Sequence, residues 1–452
     1  MRLRKTITTI VATAILLAGW QLFAVIANQP ELIPSLPRLV RTLCEWLVSG
    51  SFYQSVGATI LRGVLGMSIS FVCAIGMAGL FARFEWVYEL FRPLLAIMRS
   101  IPVISFILLA LIFLNPESIP LMIAFLTMFP LLTENLTRGI LDLRPGLSIM
   151  ARQFHIKRSN VLFQIIYPQL KPFLYSGLAS AAGFGWRAII MGEVLSQCAF
   201  GIGSEMKRAQ NFISVPELLA WTIVAVFISF FFDKGISKVA DITPKISFAN
   251  EDQTIPTPTL SVLDTKDISY QYGIQHFSHS FQKGIIYGIS APSGKGKTTL
   301  LNLIGGILLP TEGEIHPTRH FGIATIFQQP QLLPHLTAEE NIILPLSSFL
   351  TEEKARRIAQ KHLQEMEMEP FGNRYPKELS YGQQQRIAIA RALAYPSPLP
   401  LMDEPFKGLD EALSHRIIER IREKQMKEER IILFTSHNPD EIRLLADEVI
   451  YL

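Results

Sequence analysis

Charged residues and cysteines are scarce in this 452-residue chain. Only 18% of its residues are Asp, Glu, Lys or Arg, against 49% hydrophobic, and the mean hydropathy is +0.30. A net charge of +4 gives no field of one sign strong enough for a nucleic acid backbone, so no nucleic acid partner is expected. The three cysteines, Cys44, Cys73 and Cys198, are odd in number and lack metal-ligand spacing. That excludes a disulfide framework and a thiolate metal site, and Cys73, inside an apolar run, reads as a small buried thiol. No small-x-small cleavage site follows the apolar stretch from Ile7 to Ile26. With Arg2, Arg4 and Lys5 before it, the stretch reads as an uncleaved first membrane helix rather than a signal peptide.

Apolar runs dominate up to about Phe232, whereas the sequence after Glu251 has the mix of a soluble α/β protein. A bilayer core takes roughly 20 apolar residues of helix. Six segments approach that length, near 6–27, 59–82, 90–114, 119–137, 172–199 and 215–233, with Pro102 and Pro130 interrupting the third and fourth. Basic residues collect between spans two and three (Arg83, Arg92) and between four and five (Arg138, Arg144, Arg152, Lys157, Arg158, Lys171). The turn Asn115–Ser118 has none, while Arg38, Arg41, Lys207 and Arg208 run against the bias. The bias places both ends of the membrane domain in the cytoplasm. Leu39, Val40, Leu43 and Leu47 are spaced as on an amphipathic helix. The stretch from Lys234 to Thr259 shows no period and reads as a linker. The expected division is 1–233, a membrane domain; 234–259, a linker; and 260–452, a soluble domain. Charges within spans point to function. Arg187 and Glu193 are six apart and fall on different helix faces, and Arg62 lies near the start of span two. Arg187 suits either an anionic solute or an ion pair with another helix.

The soluble half carries a phosphate-binding pattern. The strand-like run Ile285–Ser290 leads into Ala291–Thr299, with Ser293, Gly294, Lys295, Gly296, Lys297, Thr298 and Thr299, and then into a helical pattern at Leu300, Leu301, Leu303 and Ile304. Backbone N–H groups at such a turn and helix start hold phosphate; Lys297 reaches the β- and γ-phosphates of ATP, and Thr298 holds Mg²⁺. The loop's first glycine position is Ala291. Downstream, Leu399–Pro405 ends an apolar run in two carboxylates, Asp403 for Mg²⁺ and Glu404 to polarise an attacking water. Pro400 is awkward for a central strand because it lacks an N–H.

Residues 260–452 resemble the ATPase domain of ABC transporters. Leu379-Ser380-Tyr381-Gly382-Gln383 stands in the place of the LSGGQ signature. Phe327-Gln328 resembles the Q-loop, Gly408-Leu409-Asp410 the D-loop, and His437 in Thr435-Ser436-His437 the switch histidine. Tyr272 sits where the family stacks an aromatic on adenine. The resemblance implies two such domains face to face with ATP between them. Lys297, Thr298, Gln328, Asp403, Glu404 and His437 come from one copy, with Gln328 among the Mg²⁺ ligands. Ser380, Gly382 and Gln383 come from the other. Tyr381 departs from the pattern, replacing a signature glycine.

Ser148–Arg158, followed by Ile165-Ile166-Tyr167-Pro168, resembles the EAA loop of ABC importer permeases, whose short helix docks on the ATPase. The match is partial, the glutamate position falling on Ile149. Arg99-Ser100-Ile101-Pro102 and Gly185-Trp186 are similar to permeases of the nitrate, sulfonate, taurine and thiamine-precursor importers. The expected fold is an α-helical six-span membrane domain followed by an α/β P-loop NTPase domain of the ABC type. The resemblance implies ATP-driven import of a small solute across the cytoplasmic membrane by a fused half-transporter. Its partners would be a second copy (a homodimer ahead of a mixed dimer), an extracytoplasmic solute-binding protein and membrane lipid. An ABC exporter half and a membrane-anchored ATPase sensor are the alternatives.

Overall fold

Long apolar segments set the N-terminal half as helices, even where Pro93, Pro130 and Pro172 lie inside them. The computed structural model describes residues 2–240, 244–253, 260–271, 273–292, 294–317 and 322–452. In chain order come α1 (Arg2–Ala27), α2 (Leu36–Trp46), α3 (Gly50–Arg83), α4 (Glu85–Ser100), α5 (Val103–Phe113) and α6 (Ile119–Leu141). Next are α7 (Pro145–Gln153), α8 (Arg158–Asn160), a π-helical turn at Val161–Ile166, α9 (Tyr167–Ser196), α10 (Ile202–Asn211) and α11 (Val215–Ala240).

Among the described residues, four helical stretches are long and apolar enough to cross a membrane: Gly50–Arg83, Pro116–Leu141, Arg158–Ser196 and Val215–Ala240. The pair α4 and α5, bent by 94°, makes a fifth if counted as one span, and the apolar part of α1, Val11–Ala27, is shorter. The six spans expected therefore appear as four, or five with the broken pair. The third is not straight because Pro102 cannot donate an N–H and forces Ile101 into an extended conformation, φ −69° and ψ 129°. Pro130, by contrast, does not interrupt its span: it is buried inside an unbroken α6. Helix α11 also runs on to Ala240, so the first part of the expected linker is helical; Ile236 and Val239 prolong the apolar spacing and no proline stops it.

Contacts divide the chain into two compact units. Residues up to Leu143 and from Gln169 form one, and Arg144–Pro168 joins Pro244–Leu452 in the other. In the first unit, α3 presents a buried stripe of small residues, Ser55, Thr59, Gly63, Gly66, Ser70, Ala74 and Ala78. It is against this stripe that α6 packs, so closely that a Cβ on Gly66 would lie 2.6 Å from that of Ala124. Leu61, Val64, Leu65 and Val72 point outward, as suits lipid. Cys73 shares that exposed face and is not buried, whereas Cys198 is. On α2, Leu39 is buried but Val40 and Leu47 are exposed. Glu193, fully buried, takes its ion pair from Arg62 on α3 at 2.7 Å. It also accepts hydrogen bonds from Thr59 Oγ1 and the Gly203 N–H, both at 2.9 Å. Arg62 reaches Glu117 as well, at 2.6 Å. Arg187 is exposed and makes no hydrogen bond or ion pair among the described residues.

The second unit is α/β. Its strands are β1 (Val262–Tyr270), β2 (Ile274–Gln282), β3 (Ile286–Ser290), β4 (Glu312–His316), β5 (Thr325–Ile326), β6 (Leu401–Asp403), β7 (Ile432–Thr435) and β8 (Glu448–Tyr451). Strands β2-β1-β4 pair antiparallel, and β5-β6-β7-β3-β8 form a parallel sheet. The central strands β3, β6 and β7 are buried almost throughout, as strands covered on both faces must be. Pro400 causes no conflict, since β6 starts after it and its carbonyl still accepts from the Leu433 N–H at 3.1 Å. The helices are α12 (Lys297–Ile304), α13 (Ala338–Leu346), α14 (Glu352–Glu365), α15 (Tyr381–Ala394), α16 (Glu411–Glu428) and α17 (Pro439–Leu445).

Arg144–Pro168 is part of this second core. Leu147, Met150, Ala151, Phe154 and Ile165 are buried in one cluster with Ile326, Leu333, Ile343 and Phe434. Gln153 Nε2 donates to the Gly305 carbonyl at 2.9 Å. Asn160 Nδ2 donates to the Ser247 carbonyl and to Ser347 Oγ, each at 2.8 Å.

Candidate nucleotide site

Parallel strands deliver side chains to one edge of the sheet, and three of them build this site. Strand β3 ends at Ser290 and the loop turns into α12 at Lys297. Two glycines make the turn, Gly294 (φ +82°) and Gly296 (φ +90°). A Cβ on Gly296 would stand 2.4 Å from the Gly273 carbonyl oxygen. Ala291 is not among the residues with positive φ, so its methyl group carries no backbone strain. Lys295 is exposed beside the turn, and Thr299 is half-buried on α12. Tyr272 and Ser293, both expected here, lie outside the described residues.

Lys297 is buried, with Nζ donating to the Ala291 carbonyl at 2.6 Å and lying 3.4 Å from His437 Nδ1. Asp403, at the end of β6, accepts from Thr298 Oγ1 at 2.9 Å and from Thr435 Oγ1 at 2.8 Å. The next residue, Glu404, adopts a left-handed conformation (φ +48°), which a non-glycine residue holds only when its surroundings enforce it. Here the enforcing contact is its own N–H, donated to Thr435 Oγ1 at 3.0 Å. One Glu404 oxygen lies 3.1 Å from His437 Nε2 and the other 3.1 Å from Lys407 Nζ. If Lys297 donates to Nδ1, the neutral His437 tautomer carries its proton on Nε2, aimed at Glu404.

Burial pushes the Asp403 carboxyl above the usual range, against hydrogen bonds from Thr435 and Thr298 that lower it. A cation at that carboxylate would relieve the same penalty. Paired with the Thr298 hydroxyl, it forms an oxygen donor set that fits Mg²⁺. Gln328 is exposed just after β5. Burial alone would raise Glu404, but Lys407, by its hydrogen bond and its positive charge, and the Gln328 side chain hold it below the usual range. It is therefore an anion at neutral pH.

The signature residues form a separate cluster. Ser380 caps α15: its Oγ accepts from the Gln383 N–H at 3.3 Å, while Gln383 Oε1 accepts from the Ser380 N–H at 2.9 Å. Gly382 has no room for a side chain, since a Cβ there would lie 2.5 Å from the Gly408 carbonyl oxygen. The Tyr381 ring turns toward the rest of its own chain, its hydroxyl donating to the Gln328 carbonyl at 2.8 Å. Two residues of the site carry no signal of their own in the sequence: Thr435, beside the switch-histidine position, and Lys407.

A family model described as "ABC transporter" matches residues 274–407, and one described as "Binding-protein-dependent transport system inner membrane component" matches 68–233. An uncharacterized ABC transporter ATP-binding protein of Methanocaldococcus jannaschii is 34% identical over 201 residues, 40% of this chain and 85% of that protein. The chain belongs to the ABC transporter family. A Fe(3+) ions import ATP-binding protein of Rhizobium etli is 35% identical over 189 residues, covering 40% of this ABC transporter chain and 54% of the relative. A glucose import ATP-binding protein of Saccharolobus solfataricus is 35% identical over 185 residues, covering 38% and 52%. The chain thus spans about half the length of these curated relatives. A solved dimeric ATP-binding cassette bound to ADP and Pi is 32% identical, with a TM-score of 0.40 over 42% of this chain and 94% of that one. A permease match followed by an ATPase match marks a fused permease–ATPase ABC protein of the importer type, with a helical membrane-like N-terminal part.

Proposed function

We propose that the chain hydrolyses ATP to drive import of a small solute across the cytoplasmic (inner) membrane, as one half of a dimer. The observation that carries this reading is the contact series Lys297–His437–Glu404 beside Asp403–Thr298. The loop N–H groups and Lys297 bind the phosphates of ATP. Thr298 and Asp403, with Gln328, hold Mg²⁺, which when bound screens the phosphate charge. Glu404, anionic and held by His437 and Lys407, orients the water and takes its proton on a carboxylate oxygen. Ser380, Gly382 and Gln383 of a second copy close over the nucleotide, their helix N-terminus suiting a terminal phosphate.

The permease match favours import with an extracytoplasmic solute-binding protein. Both termini lie in the cytoplasm on the Lys/Arg bias, a reading that requires Val11–Ala27 and the bent pair each to complete a span. We assign the solute to the nitrate, sulfonate, taurine or thiamine-precursor type. Support for the members of that set that carry a nitrate or sulfonate group comes from α9. Its exposed residues Ser176, Ser180, Phe184, Arg187 and Met191 repeat at helical spacing. An unpaired guanidinium and two hydroxyls on one face suit a water-filled path rather than lipid.

The test is ATP hydrolysis by the full chain in proteoliposomes. Glu404→Gln should lose on the order of 10²–10⁴-fold in rate, the usual worth of a general base. Lys297→Ala should be comparably impaired. Wild-type hydrolysis in both variants would overturn the reading. Stimulation by a liganded binding protein is expected of an importer and excludes an exporter.

A further inference from the structure

Helix α15 holds the segment Gln328–Gln331 at two points. Near its C-terminal end Arg391, fully buried, donates to the carbonyls of Pro330 and Gln331, both at 2.9 Å. Ten residues earlier, about 15 Å along the helix, Tyr381 donates to the Gln328 carbonyl. The Tyr381 ring also lies against Gly408, where a Cβ would come within 2.8 Å of Cδ1. The Gln328 side chain acts on the Glu404 carboxylate, helping to hold it below the usual range, and Lys407, next to Gly408, holds Glu404 Oε2 at 3.1 Å. A glycine at position 381 has no atom that could reach Gln328, leaving the segment gripped at the Arg391 end alone.

We infer that Tyr381 is a positioning residue that ties the signature end of α15 to Gln328 and so sets the orientation of Glu404. The inference rests on the proposed function, in which Ser380, Gly382 and Gln383 engage the nucleotide of a second copy. Closure of the signature on that nucleotide then moves Gln328 of its own chain, and each site reports its occupancy to the other. The phenol therefore does not merely crowd the phosphate. It supplies a link between the two sites that a glycine signature lacks.

The experiment uses the full chain in nanodiscs, with hydrolysis of Mg-ATP measured against ATP concentration. Tyr381→Phe removes only the hydroxyl. It should lower kcat about fivefold, the worth of one neutral hydrogen bond. KM should stay within about twofold, because no nucleotide contact is lost. The Hill coefficient should fall toward 1. Tyr381→Gly should shift kcat and the Hill coefficient at least as far, and the melting temperature of Tyr381→Phe should match the wild type. An unchanged kcat and Hill coefficient in Tyr381→Phe would overturn the inference, as would a raised KM at unchanged kcat. A wild type without hydrolysis removes the proposed function and this inference with it. Wild-type hydrolysis with an indifferent Tyr381→Phe removes this inference alone.

Discussion

Asn160 fastens the segment Arg144–Pro168 to the rest of its unit, and its replacement by alanine can be worked through from the contacts. The side chain is 1% exposed and makes three hydrogen bonds, donating to the Ser247 carbonyl and Ser347 Oγ and accepting from the Ser247 N–H. At about 1 kcal/mol each, their loss amounts to ~3 kcal/mol. Three kcal/mol is more than 100-fold in an equilibrium constant. The segment will not detach, because Leu147, Met150 and Phe154 remain in the core and the Lys157 N–H still reaches Ser348 Oγ at 3.0 Å. The expected result is local opening. Amide exchange across 157–166, followed by mass spectrometry, should accelerate on the order of 100-fold. Exchange in α12 should not change. Basal ATP hydrolysis should stay within about twofold, since Asn160 touches no residue of the nucleotide site; Ser347→Ala, losing one bond of ~1 kcal/mol, should give a smaller step. Exchange at 157–166 within threefold of the wild type would refute the accounting.

Arg62→Met should destabilise the membrane unit by about 3–5 kcal/mol, because it leaves the fully buried Glu193 without its cation. Thermal denaturation in detergent should show that loss, with most of it recovered in Arg62→Met/Glu193→Gln; a double variant as unstable as the single one would contradict the pairing. Burial pulls the Lys424 ammonium down from 10.5 to about 8. The folded state therefore binds this proton less tightly than the unfolded chain, and the group's cost, ~3 kcal/mol at ~1.4 kcal/mol per pH unit, is fully present below pH 8. The cost fades as pH rises from 8 to 10.5. Lys424→Met should thus melt higher than the wild type at pH 7, offset in part by losing the hydrogen bond to the Leu393 carbonyl, and the gap should narrow toward pH 10.

What could be read from the sequence was local. The strand, loop and helix from Ile285 to Ile304 are contiguous, so the phosphate-binding turn and the role of Lys297 follow from one short window. Asp403 and Glu404 were legible because they close an apolar run, and strand ends meet at one edge of a parallel sheet; His437 was legible only through its place in the resemblance to the ABC ATPase motifs. The partner of Glu193 was not, since Arg62 lies 131 positions away and nothing along α9 points to α3. The break at Pro102 and the continuity at Pro130 look alike in sequence; they differ in that Pro130 is buried among neighbouring helices. Thr435 meets Glu404 only once β6 and β7 are paired, and Lys407 meets it through the turn that follows β6. Arg391 reads as one more charged residue on a helix until its carbonyl partners are in place.

The placement of Arg144–Pro168 within the second core changes what fusion means for this molecule. Where permease and ATPase are separate polypeptides, the docking contact must be strong enough to recruit a partner from dilute solution. Here the same chain leaves α11 at Ala240 and reaches Pro244 a few residues later, so the docking surfaces meet at an effective concentration in the millimolar range whatever their intrinsic affinity. That relaxes the demand on individual docking residues.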